Sequence, residues 1–171
     1  MISVIAALGP HRQIGKNNEL IYHAKTDMAH FKEITEGKVV IMGYNTWKSL
    51  PTPVLNNREN LVIVDFKLGV PEDIKEASEK YENLDYQDKR AFYSKDVQKY
   101  MRRDKEYVVI GGAEVYRLTQ KYWQKMYLSL FNEDIEGDVF FPFYKTNGWL
   151  IRENKIHPEY RYMYFERGRK R

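Results

Sequence analysis

Short apolar runs, most of them stopping at glycine or aspartate, constrain the fold of this chain more than any other feature. They cover residues 1–8, 38–42, 61–64, 107–110 and 126–131, each four to eight residues long. The first is apolar enough to be covered on both faces, which is the habit of strands in a parallel sheet. Helical patterns alternate with these runs: from Thr26 to a stop at Gly37, at 46–50, at 95–103 and at 113–122. Strand and helix in alternation predict a layered α/β domain. The last third changes character, because 149–155 and 160–167 read as a hairpin and put an antiparallel strand at the C-terminal edge. With no repeat, low-complexity tract or linker, 1–171 reads as a single-domain three-layer fold. Its sheet is central and mostly parallel, with helices on its flanks. Residues 91–93 are expected as a further short strand. Residues 70–90, dense in Glu, Asp and Lys, read as an exposed helix and connector with Pro71 at the start and Ala77 and Tyr81 inward. Residues 9–23 form a long polar loop with Gly9, Pro10, Gly15, Asn17 and Asn18, of the length that lids have.

Composition removes several kinds of chemistry. A chain of 171 residues with 43% hydrophobic content fills one core. Cysteine is absent, so disulfides, thiolate metal sites and cysteine nucleophiles are excluded. The four histidines, at 11, 23, 30 and 157, form no H-x-x-x-H pair, so no metal site is expected. The opening apolar run lacks a basic region and meets Gly9-Pro10 at once, so it is expected to be a buried strand rather than a signal or membrane span. A net charge of +4 suits phosphorylated or carboxylated small molecules. A monomeric cytoplasmic protein, with no membrane partner, is the expectation.

Asp27 is the odd residue on its helix. Thr26 is the candidate N-cap, and Asp27, Phe31 and Ile34 follow the i, i+4, i+7 spacing of one face. A carboxylate beside Met28, Phe31 and Ile34 costs several kcal/mol to bury unless something satisfies it. A helix start also favours an acid at the surface. Its own helix leaves both readings open. Two strand ends carry glycine and lead into helices: Gly43 before 46–50, with Thr46 and Ser49 close by, and Gly111-Gly112 before 113–122. Such ends are seats for a pyrophosphate. The spacing is not the G-x-G-x-x-G fingerprint of ordinary dinucleotide folds.

Taken in order, these motifs resemble the dihydrofolate reductase family over nearly the full length. The resemblance is carried by Ile2–Ala7, Ile14-Gly15, Asp27 with Phe31-Lys32, and Val40–Gly43 with Thr46-Trp47 and Ser49-Leu50. Arg58–Leu61, Val109–Tyr116, Glu136–Asp138 and Phe141-Pro142 complete it. It implies an eight-stranded, mostly parallel sheet and the reduction of dihydrofolate to tetrahydrofolate by hydride from NADPH. That product feeds one-carbon and thymidylate synthesis. Asp27 would pair with the pterin ring, a charge-assisted contact of roughly 1.5–3 kcal/mol, with Tyr22 and Leu20 beside the reacting atoms. Ser129 would hold the carboxylate. Ile5 and Ile110 would offer carbonyls to the ring, with Ala6 alongside. Met28, Phe31, Lys32, Leu50 and Leu55 would wall the benzoyl part, and Arg58 would clamp the glutamate. On the cofactor side, Ala7, Ile14 and Gly15 would border the nicotinamide, with 14–24 closing over it. Gly43, Thr46 and Ser49 would meet the pyrophosphate together with the turn Gly111, Gly112, Ala113, Glu114, Val115 and Tyr116. A cis Gly111–Gly112 bond is implied. Tyr44, Asn45, Val64 and Asp65 would face the adenosine end.

The departures lie at both ends of the site. Tyr22 replaces the family's tryptophan, and Ile21 and Lys25 replace prolines. Tyr44 and Asn45 replace a base for the cofactor's 2′-phosphate, and Asp65 replaces a serine or arginine. An acid at a strand end suits a ribose hydroxyl, so NADH is a possible cofactor, unless Lys67, Lys95 or another loop base substitutes. Two other readings compete. Tyr160–Phe165 with the basic tail Arg167–Arg171 mixes rings and cations as single-strand nucleic-acid binders do, although a solvated tail on an edge strand accounts for it. A catalytically silent relative, binding folate or nucleotide as an assembly component, is the other. A reductase of the same fold acting on a pyrimidine intermediate is disfavoured, because Asp27 and Arg58 together point to folate.

Overall fold

The computed structural model describes residues 1–93, 97 and 101–169. The expected helix at 95–103 therefore falls mostly outside the described residues, as do Lys170 and Arg171 of the tail. The strands are β1 (Ile2–Leu8), β2 (Gln13–Lys16), β3 (Glu19–Leu20), β4 (Val39–Gly43), β5 (Glu59–Val64), β6 (Leu84–Asp88), β7 (Tyr107–Gly111), β8 (Trp123–Phe131), β9 (Val139–Phe140), β10 (Trp149–Ile156) and β11 (Tyr160–Arg167). The helices are α1 (Lys25–Thr35), α2 (Tyr44–Ser49), α3 (Glu72–Lys80) and α4 (Ala113–Thr119), with short 3-10 turns between some elements.

Eight strands make one sheet in the order β10-β11-β8-β1-β7-β4-β5-β6. From β8 to β6 every neighbouring pair is parallel. β11 runs antiparallel to β8, and β10 pairs antiparallel outside it. The central strands are apolar on both faces because helices and loops cover both, and Val4, Val40, Ile41, Val62 and Val109 have no exposure at all. One core cluster gathers β1, β7 and β8 with Tyr116, Trp123 and Phe141, and another gathers β4 and β5 with Ile74 and Leu84.

Four local expectations are corrected. Residues 84–88 are the far edge strand β6 and not part of a connector; with one neighbour to pair with, β6 needs little apolar character. Residues 89–92 form a 3-10 turn where a strand was expected at 91–93. The loop 9–23 contains β2 and β3, which join β9 in a small second sheet. The N-cap of α1 is Ala24, without a side-chain cap. Thr26 lies inside the helix, where its hydroxyl shares a 2.7 Å hydrogen bond with that of Tyr160.

Phe141 fastens the segment after β8 to the core. Its ring lies 4.9 Å from Tyr116 and stacks on Trp123 at 5.5 Å, with no exposure. Its backbone N–H donates to the Arg12 carbonyl at 2.7 Å, and Arg12 Nη1 donates back to the Phe141 carbonyl at 2.7 Å. Removing the ring leaves a cavity that its stiff aromatic neighbours cannot fill. Phe141→Ala is expected to lose about 3–5 kcal/mol of stability, read from the urea midpoint.

Candidate active site

Sheet register brings Asp27 its partner. Ala7 of β1 lies beside Ser129 of β8, and Ser129 lies opposite Tyr162 of β11. α1 crosses this part of the sheet and sets Asp27, in its first turn, over Ser129. The Ser129 hydroxyl donates to Asp27 Oδ1 at 2.5 Å. The carboxyl is half-buried, and burial pushes its pKa above the ordinary carboxylate value; the Ser129 hydrogen bond, then His30 and His157, oppose that rise. Ser129→Ala removes the strongest opposing influence. The Asp27 inflection in a kcat/KM–pH profile is therefore expected to move to higher pH in that variant.

His30 and Tyr162 belong to this neighbourhood, and sequence reasoning missed both. The His30 ring meets Tyr162 edge-on with centroids 4.0 Å apart, and its buried Nε2 has no hydrogen-bond partner among the described residues. Burial lowers its pKa, which keeps the ring neutral at neutral pH. Only the pairing of β11 with β8 brings Tyr162 here, and no local pattern signals that.

The remaining substrate-side residues lie on the same elements. Phe31 and Ile110 are partly buried, Leu50 and Leu55 pack on the second core cluster, Met28 is 62% exposed, and Lys32 is exposed. Met28 thus projects from α1 and is no part of a buried face. The Ile5 carbonyl accepts from the Tyr116 hydroxyl at 2.9 Å, which leaves one lone pair for another donor. Ala6 is buried in β1. Arg58 Nε donates to the Asn56 carbonyl at 2.8 Å and Nη1 to Thr35 Oγ1 at 3.1 Å, which engages two of its five N–H groups.

Tyr22 lies buried at the root of the lid and Leu20 exposed at its tip. Tyr22 is 5% exposed and stacks on Phe131 at 4.9 Å. Its hydroxyl donates to the Glu133 carbonyl at 2.7 Å and accepts from the Ile135 N–H at 3.2 Å. Its polar atom is committed to loop backbone, so the described contacts give it a structural part. Leu20, in β3, is 67% exposed at the tip of the lid. The lid's base is pinned: Gln13 Nε2 donates to Asp134 Oδ1 and the Ile135 carbonyl at 2.8 and 2.9 Å, and the Asp138 N–H donates to the Gly15 carbonyl. This close approach needs glycine at 137, where a Cβ would fall 2.7 Å from Gln13 Cβ.

The glycine-led strand ends meet across the sheet, since Met42 pairs with Gly111. The Gly111–Gly112 bond is cis. A Cβ at Gly43 would lie 3.2 Å from Val115 Cγ2 and 3.8 Å from the Gly112 nitrogen, and one at Gly112 would lie 3.4 Å from Thr46 Oγ1. Glycine backbone lines this cradle, with the Thr46 and Tyr116 hydroxyls and the Val115 side chain against it. Ser49 donates to the Thr46 carbonyl at 2.7 Å. Ile14, Val64, Val115 and Tyr116 are buried, so their side chains belong to the core, while Ala7, Ala113 and Asn45 are more open.

A parallel sheet with a carboxylate cleft at one strand end and a backbone cradle at the next defines an α/β enzyme built for a nucleotide and a second small molecule. Comparison with known proteins narrows this. The family model described as Dihydrofolate reductase matches residues 1–167. The dihydrofolate reductase of Bacillus subtilis is 30% identical, over 98% of this chain and 95% of that one. Dihydrofolate reductase type 3 of Salmonella typhimurium is 31% identical, over 92% of this chain and 88% of that one. Among solved structures, dihydrofolate reductase from Enterococcus faecalis, complexed with NADP(H) and RAB-propyl, superposes with a TM-score of 0.76 at 22% identity, covering 98% and 96% of the two chains. The chain belongs to the dihydrofolate reductase family.

Proposed function

We propose that the chain reduces dihydrofolate to tetrahydrofolate with NADPH, as one catalytic domain, monomeric and cytoplasmic, supplying one-carbon and thymidylate synthesis. The carrying observation is Asp27: half-buried, raised by burial, and held by Ser129 beside the carboxyl ends of β1 and β8. A carboxylate so placed accepts two hydrogen bonds from the amino group and ring nitrogen of a pterin, and orients the ring. Arg58 keeps N–H groups in hand for the glutamate carboxylate, while Phe31, Leu50 and Leu55 give the benzoyl part apolar walls.

The residues present fit the cofactor, because Gly43, Gly111 and Gly112 offer bare backbone beside the Thr46 hydroxyl for a pyrophosphate, and a Cβ at Gly43 would press on Val115 at 3.2 Å. When bound, the reduced nicotinamide supplies the hydride. The protein excludes water and sets the pterin's orientation, and Asp27 keeps the ring where N5 can take its proton through solvent. Among the described residues no helix is long and apolar enough to cross a membrane. Tyr160, Tyr162 and Phe165 of β11 are buried, and β11 lies between β8 and β10 rather than at the sheet edge, which favours a part in the sheet over a stacking surface for nucleic acid. The test is to mix protein, dihydrofolate and NADPH and follow loss of reduced-nicotinamide absorbance. Substrate-dependent loss is the expected result, and its absence across the neutral and acid range rejects the reading.

A further inference from the structure

The carboxyl end of β5 carries the inference. β4 and β5 are parallel, with Gly43 paired to Ile63, so Val64 and Asp65 extend just past the strand end that opens the cradle. In Rossmann-type sheets an acid beyond the phosphate seat takes a ribose hydroxyl, whereas a nearby arginine takes a ribose phosphate; the same charge argument applies at this strand end, although the glycine fingerprint differs. Asp65 is fixed rather than free to turn away. Its Oδ1 accepts the Lys67 N–H at 3.0 Å, and its Oδ2 lies 3.2 Å from Lys89 Nζ. Lys89 lies 3.4 Å from Glu114 Oε1 as well, so this cation already serves two acids. On the β4 side, the Tyr44 hydroxyl donates to Asp73, whose two oxygens both lie at 2.7 Å. Burial, then Asp73, pushes the phenol up to about 12, so its one O–H stays a donor committed to that acid. Arg90, next to Lys89, is held by Asp88 at 2.8 Å. Lys48 lies 5.4 Å from the Tyr44 ring centre. Lys95 falls outside the described residues.

We infer that Asp65, with Lys89 and Tyr44 tied up by neighbouring acids, makes the adenosine end of this site a seat for an unphosphorylated ribose. NADH then serves alongside NADPH with little discrimination. The inference rests on the cofactor reading above and adds the residue that sets specificity. A ribose phosphate brought to this place meets the Asp65 carboxylate and competes for a lysine that two acids already hold. A ribose hydroxyl donates to Asp65 and needs no new cation.

The test is isothermal titration of the full chain at fixed ionic strength with AMP and with its 2′-phosphorylated counterpart, repeated with NADH and NADPH. In the unaltered protein the 2′-phosphate is expected to change affinity by less than about tenfold within each pair. Asp65→Asn keeps the acceptor for the Lys67 N–H, removes the charge and releases Lys89 from one of its two acids. It is expected to raise affinity for the 2′-phosphorylated compounds by about tenfold or more, and not for the others. A preference above tenfold for the 2′-phosphate in the unaltered protein overturns the inference, as does an unchanged preference in Asp65→Asn. Both results leave the reductase reading standing if dihydrofolate is still consumed. Failure of all four nucleotides to bind overturns the cofactor reading and this inference together.

Discussion

Asp27→Asn is expected to lower turnover at neutral pH by about 10²–10⁴-fold, the range for losing a group that acts on a proton transfer. The amide keeps the size and a contact to Ser129 but cannot hold the pterin as an anion. Activity should return in part as the pH falls, because solvent then protonates the substrate directly. A steady-state pH series separates this from misfolding. So does stability, and the sign there is informative. Burial raises the Asp27 carboxyl, so the folded protein keeps that proton to a higher pH than the unfolded chain does. The stabilising effect of the proton is complete below the unfolded value and is lost as pH rises through the folded value. At neutral pH the native protein therefore carries a charge it would hold more easily unfolded, and the amide variant should melt no lower than the parent. Unchanged turnover at neutral pH rejects the role of Asp27.

Arg58→Leu is expected to raise the KM for dihydrofolate by about 30- to 1000-fold, or about 2–4 kcal/mol, with kcat little changed. As a clamp for the glutamate tail, the guanidinium would touch no reacting atom and would bind ground state and transition state alike. Its posture is set by the Asn56 carbonyl and the Thr35 hydroxyl, and Thr35 is itself fully buried at the end of α1. A pterin substrate lacking the glutamate tail is the control. It should lose nothing, and an equal loss with both substrates overturns the clamp.

Legibility along the chain followed the range of the contacts. The parallel strands were readable because burial on both faces leaves a continuous apolar run, and the glycine-led ends because turns and close approach demand glycine. Asp27 was readable as an anomaly on its helix, yet its helix alone left a surface acid equally open. β6 escaped because an edge strand with one partner need not look like a core strand, and only Leu84 and Asp88 in it are buried. Thr26 looked like a cap and became a partner for Tyr160, 134 residues away. Tyr22 was placed beside the acid by resemblance, and only the structure shows that the loop at 133–135 holds its hydroxyl.

The apolar core strands, the two glycine ends and the candidate acid were determined by the sequence itself, since each depends on residues within a turn or two of one another. Tertiary structure alone decided that Thr26 meets Tyr160, that Lys89 is shared by Asp65 and Glu114, and that Tyr44 is bound to Asp73. Those pairings join elements that parallel crossovers bring together over tens of residues, and no local pattern of polarity records which distant charge will arrive.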